Sequence, residues 1–191
     1  MVDFKLVLQT DSILLRPMVS KDYKSFEKLT EDESMWRYFS SDLSVKSELH
    51  EWIKSALNDI RNNTRLAFTI VDKTTGNIVG STSIGNISYK DKRIEIGWTW
   101  IAKEYQGKGV NNQIKYLMLK YLFETMDFER VEFKTDVLNT PARKAFRRIG
   151  AKEEGILRSH MLMTHGRRRD SVYYSILKSE WVEIKSRNNW L

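Results

Sequence analysis

The chain contains no cysteine. That excludes a thiol nucleophile, a thiolate metal site and a disulfide framework, and it fits a reducing cytoplasm. Only two prolines are present, and both stand at element ends: Pro17 closes a strand and Pro141 sits in the first turn of a helix. Histidine is limited to His50, His160 and His165. No apolar run approaches the length of a membrane span, and the opening MVDFKLVLQT is too short and too mixed for a signal peptide. Internal repeats, low-complexity tracts and linkers are also missing, so residues 1–191 read as one domain, long enough to bury a core without metals or cross-links. No metal is expected.

What is present in excess is positive charge, a formal +7. It suits an anionic partner such as a polyphosphate cofactor, a nucleic acid or an acidic protein, and equally it suits simple solubility. The apolar pattern gives the elements. Ile13–Arg16 is a short strand, and Ser20 is placed to cap a helix from about Lys21 to Thr30. Met35, Trp36, Tyr38 and Phe39 punctuate an irregular stretch, either packed beneath it or walling a pocket. Ser44 opens a helix whose stripe runs through Val45, Leu49, Trp52, Ile53, Ala56, Leu57 and Ile60. Leu66–Val71, Ile78–Ile84 and Ile94–Ile101 follow as an antiparallel meander with a tight turn at Gly76-Asn77. In the last strand Glu95, Gly97 and Thr99 are expected on one face, by the period of two. A helix from about Gly109 to Thr125, the strand Val131–Val137, the helix capped by Asn139 and ended by Gly150, two long strands (Lys152–Met163 and Arg168–Leu177) and a short terminal helix complete the chain. The strand–helix–strand unit predicts a parallel crossover. The fold class is α+β with a mixed sheet.

Between the strand at Ile94–Ile101 and the next helix lies Gln106-Gly107-Lys108-Gly109-Val110-Asn111. A glycine loop opening a helix presents unsatisfied N–H groups to an anion. The spacing is neither that of a Walker loop nor that of a dinucleotide fingerprint. In this position it resembles the Gln/Arg-x-x-Gly-x-Gly/Ala motif of the GNAT acyl-CoA N-acyltransferases. The resemblance extends over most of the chain. Leu14-Leu15-Arg16-Pro17, Glu95-Ile96-Gly97-Trp98, the segment Asn139 to Gly150, and Gly166-Arg167-Arg168-Arg169-Asp170 are similar to segments of its ribosomal-protein N-acetyltransferase subgroup (RimJ/RimL type).

The resemblance implies the GNAT fold, a mixed, mostly antiparallel sheet with helices on both faces, and an acetyl-CoA-dependent transfer to a primary amine, either a protein N-terminus or a small molecule. It implies that acetyl-CoA lies between two diverging strands. The pyrophosphate would meet the backbone N–H groups of Gln106, Gly107, Lys108, Gly109, Val110 and Asn111, and the pantetheine arm would pair with Trp100, Ile101 and Ala102. Asn139 would bond the arm or the intermediate, besides capping its helix. Asn111 departs from the motif's last Gly/Ala.

Acetyl transfer needs a neutral amine and hence a base. Glu95 is the first candidate, with room beside it at Gly97, and His160 the second, its ordinary pKa suiting neutral pH. Each has a purely structural alternative, a salt-bridged carboxylate or a packed strand histidine. His165 reads as a hairpin residue and His50 as surface. Relatives take their acid from a tyrosine or a serine, but those positions are Phe146 and Ala142 here, so no acid is assigned. Arg143, Lys144, Arg147 and Arg148 are candidates for the 3′-phosphate of CoA or a solvated face. Arg167-Arg168-Arg169 is too short a run to imply nucleic acid. The alternative reading is a catalytically weak acyl-CoA-binding or RNA-associated module. No membrane partner is expected, and pairing of two copies through the last strands is an option.

Overall fold

The computed structural model describes residues 1–190, with His165 described by its backbone alone. Its strands are β1 (Leu8–Gln9), β2 (Ile13–Pro17), β3 (Leu66–Asp72), β4 (Ile78–Ser88), β5 (Arg93–Ile101), β6 (Arg130–Asp136), β7 (Lys152–Leu162) and β8 (Arg168–Leu177). Its α-helices are α1 (Tyr23–Leu29), α2 (Lys46–Arg61), α3 (Val110–Lys120), α4 (Thr140–Ile149) and α5 (Trp181–Arg187). The strands form one sheet in the order β1-β2-β3-β4-β5-β6-β8-β7. Only the β5–β6 pair is parallel, joined through α3 as the crossover rule requires. The strand pair β1–β2 was not expected, because two residues are too few to carry an alternation.

Strand alternation sorts the core onto two faces. Leu66, Phe68 and Ile70 of β3 belong to the larger cluster, with Ile114 and Met118 of α3, Ile149 of α4 and Trp181 of α5. Ala67 faces the other way, into a cluster with Phe26 of α1 and Leu49, Ile53 and Ala56 of α2. Helices therefore cover both faces. Val45, expected at the head of the α2 stripe, is exposed and lies just before the helix, where its C=O accepts from Leu49.

Ser20 does not cap the first helix. A 3-10 turn at Ser20–Asp22 leads into α1, and it is the Asp22 carboxylate that accepts the Val19 N–H, at 3.0 Å. The same carboxylate accepts from Arg16 Nη1 and Nη2 (2.9 and 2.6 Å) and from Thr69 Oγ1 (2.6 Å). Asp22 thus joins β2, β3 and the start of α1 in one buried hub. Burial pushes its pKa up, but bonds from Arg16, Thr69 and Val19 outweigh it and leave the pKa lowered. Its contribution is full above the unfolded value near ~3.9 and disappears as pH falls through the folded one. Asp22→Ala strands the Arg16 guanidinium and is expected to destabilise the fold by about 3 kcal/mol in urea melts at neutral pH. The difference from wild type should shrink on acidification.

Candidate active site

The geometry of the site begins with a break in β5. Trp98 has φ +52°, a conformation that a bulky residue rarely adopts. Pairing with β4 jumps there from Gly97↔Ser83 to Trp100↔Ser81, so two residues of β5 oppose one of β4. This β-bulge reverses the alternation. Ile94 and Ile96 face the α3 side, whereas Trp100 packs with Phe26 and Trp36 on the α1–α2 side, at 5.1 and 5.7 Å between ring centroids. Glu95, Gly97 and Thr99 therefore do not share a face as strict alternation predicted. Thr99 points toward α3, bonding Thr82 at 2.7 Å and accepting from Lys115 at 3.3 Å.

β5 and β6 pair over three residues only, from Arg93↔Arg130 to Glu95↔Glu132, and then separate. A cavity of about 600 Å³ opens where they part. Thr99 and Lys115 line it from one side, Glu95, Lys134 and Arg169 from the other, and Met35, Tyr38 and Phe39 wall one end. Of the aromatics in that early stretch, Trp36 packs, Tyr38 lines the cavity, and Phe39 does both, edge-on to Trp36. The Ala102 N–H donates to Val79 O at 2.9 Å, so it is engaged with β4 and does not face the gap. Antiparallel bonding alternates, which commits Trp100 to β4 as well and turns the polar edge of Ile101 toward the gap. The Ile101 carbonyl there accepts from the Gln106 side-chain amide at 2.9 Å.

The loop after β5 is held in shape by Gly107 and Gly109, at φ +74° and +82°. The Gln106 N–H donates to Lys103 O, so it does not join the free donors as expected. From Gly107 to Asn112, no N–H finds an acceptor among the described residues. Unsatisfied N–H groups at the positive end of the α3 dipole are of the kind that suits an anion. Asn111 Oδ1 is enclosed there without a partner among the described residues. Gln113, one turn on, accepts from Thr10 Oγ1 (2.6 Å) and Ser12 Oγ (2.8 Å), fixing the start of α3 to the β1–β2 turn.

On the face opposite α3, Glu95 is 3% exposed and accepts from Asn86 Nδ2 (2.7 Å) and Lys134 Nζ (2.9 Å). The space beside Gly97 is filled by this carboxylate: a Cβ there would stand 2.9 Å from Glu95 Oε1. His160 lies on exposed β7, with Nδ1 3.0 Å from Ser171 Oγ and its ring edge-on to Tyr173. Burial, then the charges of Lys134 and Arg169, lower its pKa and favour the neutral ring. The three arginines of the hairpin part company: Arg167 pairs with Asp136, Arg168 bonds Ser159, and Arg169 enters the cavity. The expectation for His165 concerns a side chain outside the described residues.

Asn139 Oδ1 accepts the Ala142 N–H at 3.1 Å, the capping role, and the residue also lines the cavity with Ala142 and Phe146. Phe146 stacks between Phe133 and Tyr174 and carries no donor. On α4, Arg143 and Arg147 are tied to Glu153, leaving Arg148 at the cavity. The residue that sequence reading missed is Lys115. It is 3% exposed, Thr99 is its hydrogen-bond partner, and no carboxylate pairs with it among the described residues. Its ammonium lies over the Phe133 ring, 5.6 Å from the centroid. Burial lowers its pKa to about 7. A signal was available: Lys115 stands three residues before Met118 and seven before Leu122, within the buried stripe of α3.

Residues 12–152 match the family model described as an acetyltransferase (GNAT) domain. The chain belongs to the GNAT acetyltransferases. It is 39% identical to the Bacillus subtilis protein named "Putative ribosomal N-acetyltransferase YdaF", over 56% of this chain and 57% of that protein. It is 24% identical to the spermidine N(1)-acetyltransferase of Escherichia coli K12, over 90% of this chain and 89% of the other. Among solved structures, a GCN5-related N-acetyltransferase from Brucella melitensis superposes with a TM-score of 0.87 at 23% identity, over 97% of this chain and 84% of that one. The GNAT architecture expected from the sequence is thus present, and the chain is a GNAT family N-acetyltransferase.

Lys115 makes a stability prediction. Between about pH 7 and the ordinary lysine value near ~10.4, the folded chain binds fewer protons at this site than the unfolded one, so wild-type stability rises with pH. Lys115→Met should therefore be more stable than wild type at pH 6. That advantage should shrink by up to about 1.4 kcal/mol per pH unit above 7. Urea melts of both proteins at pH 6, 8 and 9 measure it, and a pH-independent difference would contradict it.

Proposed function

We propose that this GNAT enzyme moves an acetyl group from acetyl-CoA to a primary amine by direct attack of the amine on the thioester. The observation that carries the reading is the cavity at the β5–β6 separation. It touches Gly107, Gly109 and Asn111 of the donor-rich loop at one end and a buried carboxylate, Glu95, across the sheet. The free N–H groups from Gly107 to Asn111 suit the pyrophosphate, with Lys108 and Arg148 as nearby cations. Gln106 supports the loop through Ile101 rather than by its own N–H. The gap-facing edge of β5 at Ile101 suits the pantetheine arm, and Asn139 borders it. No metal is needed for this chemistry.

The amine approaches on the Glu95 face. The ammonium gives its first proton to water; Glu95, oriented by Lys134 and Asn86, takes the second, which the nitrogen sheds as it bonds to the carbonyl carbon, and His160 is the second candidate for that task. The amine nitrogen bonds to the carbonyl carbon, and a gap-facing N–H of β5 stabilises the oxyanion. The carbon–sulfur bond then breaks. Phe146 and Ala142 have no proton to give, but the Lys115 ammonium on the α3 side does, and the thiolate takes it. With a pKa of about 7 this amine is partly protonated at neutral pH, as an acid for that step must be.

Calorimetric titration of CoA, followed by thiol release from acetyl-CoA with a panel of amines and peptides, tests the reaction. Glu95→Gln is expected to lower kcat by about 10²-fold or more. If Glu95→Gln keeps the wild-type rate and pH profile while His160→Ala abolishes turnover, the base is His160. Lys115→Met should lower kcat more than it raises the KM for acetyl-CoA. It should also flatten the fall in kcat expected of wild type above about pH 7.

A further inference from the structure

Arg169 is 7% exposed, yet its guanidinium makes no hydrogen bond to a protein group among the described residues. Its Nε is fully enclosed without a partner, and the side chain lines the cavity. The two carboxylates nearest in charge are already engaged, Asp136 by Arg167 and Glu95 by Lys134 and Asn86. A buried guanidinium left in this way is unfavourable unless something else supplies its counter-charge. The position says what that is. Arg169 is in register with Ser171 and Tyr173 on β8, the residues beside His160 and Lys134, and so lies on the Glu95 face. The anion loop opens from the head of α3, under the other face.

The charged lining points the same way. Lys115, Lys134, Arg148 and Arg169 stand against one carboxylate, Glu95. A polycationic amine finds a single acidic partner here, and that one is already bonded to a lysine.

Resting on the acetyl-transfer reading above, we infer that the acceptor is a primary amine that also carries a carboxylate, with the amine at Glu95 and the carboxylate on the Arg169 fork. A guanidinium offers two parallel N–H bonds to a carboxylate, which would orient the acceptor as well as hold it. A free amino acid and a peptide beginning with an acidic residue both have this chemistry.

Matched acceptors test it by their kcat/KM in thiol release: an amino acid against its carboxamide, an amide-capped peptide beginning with Asp against the same peptide beginning with Asn, and spermidine. The carboxylate member of at least one pair should lead by on the order of tenfold or more, chiefly through KM. Which pair shows the lead tells the free amino acid from the peptide. In Arg169→Gln the ratio within that pair should collapse toward one, and Arg169→Lys should keep part of it. A ratio within one protein is insensitive to the fraction folded. Equal rates within both pairs, a preference for spermidine, or a ratio unchanged in Arg169→Gln would overturn the inference and leave acetyl transfer standing. Transfer to no acceptor would overturn both.

Discussion

The left-handed backbone at Trp98 is the constraint on which the site depends. A continuous β5 would keep its alternation and send Thr99 to the side of Glu95. The bulge instead turns Thr99 to the α3 side and Trp100 into the aromatic cluster of Phe26 and Trp36. It comes just past the last β5–β6 pair, where the two strands begin to part. One strand thereby presents a carboxylate to one side of the cavity and a hydroxyl to the other. Such a conformation is unfavourable in isolation and persists where its surroundings fix it. The Trp98 ring is held against Arg65, whose guanidinium lies 5.1 Å from the ring centroid and is bonded to Asp59.

Charge is distributed with comparable selectivity. Most basic side chains near the cavity have been assigned a partner: Arg143 and Arg147 share Glu153, Arg167 has Asp136, and Lys134 has Glu95. The two that, among the described residues, are buried yet unpaired by a carboxylate, Lys115 and Arg169, line the cavity from opposite faces of the sheet. One sits with the thioester side of the proposed reaction and the other with the amine side. The net positive charge of the chain is thus less informative than the positions where its neutralisation stops.

The strands and helices were legible because their apolar periods are clean. Leu66–Val71 and Val131–Val137 needed only small changes of boundary. The loop was legible because its glycines stand where positive φ is needed. The bulge was not, since a tryptophan at φ +52° leaves no compositional trace. Its consequences, the displaced Thr99 and the engaged Trp100 and Ala102, were lost with it. Arg169 was hidden for a different reason. Three consecutive arginines look like one basic patch, and only strand geometry sends neighbours to opposite faces. Lys115 was concealed by its residue type, because a lysine within an apolar stripe is usually assigned to the solvent edge.

The bonds from Thr10 and Ser12 to Gln113 span about a hundred residues of sequence. On the ribosome the N-terminal turn emerges long before the helix it must hold. The anion loop therefore lacks its anchor until β1 and β2 have waited for the second half of the meander and the start of α3 to be made. Assembly of this end of the cavity belongs to the slow, nonlocal part of folding. The first dozen residues, though they touch no proposed substrate group, act as a late clasp on the loop.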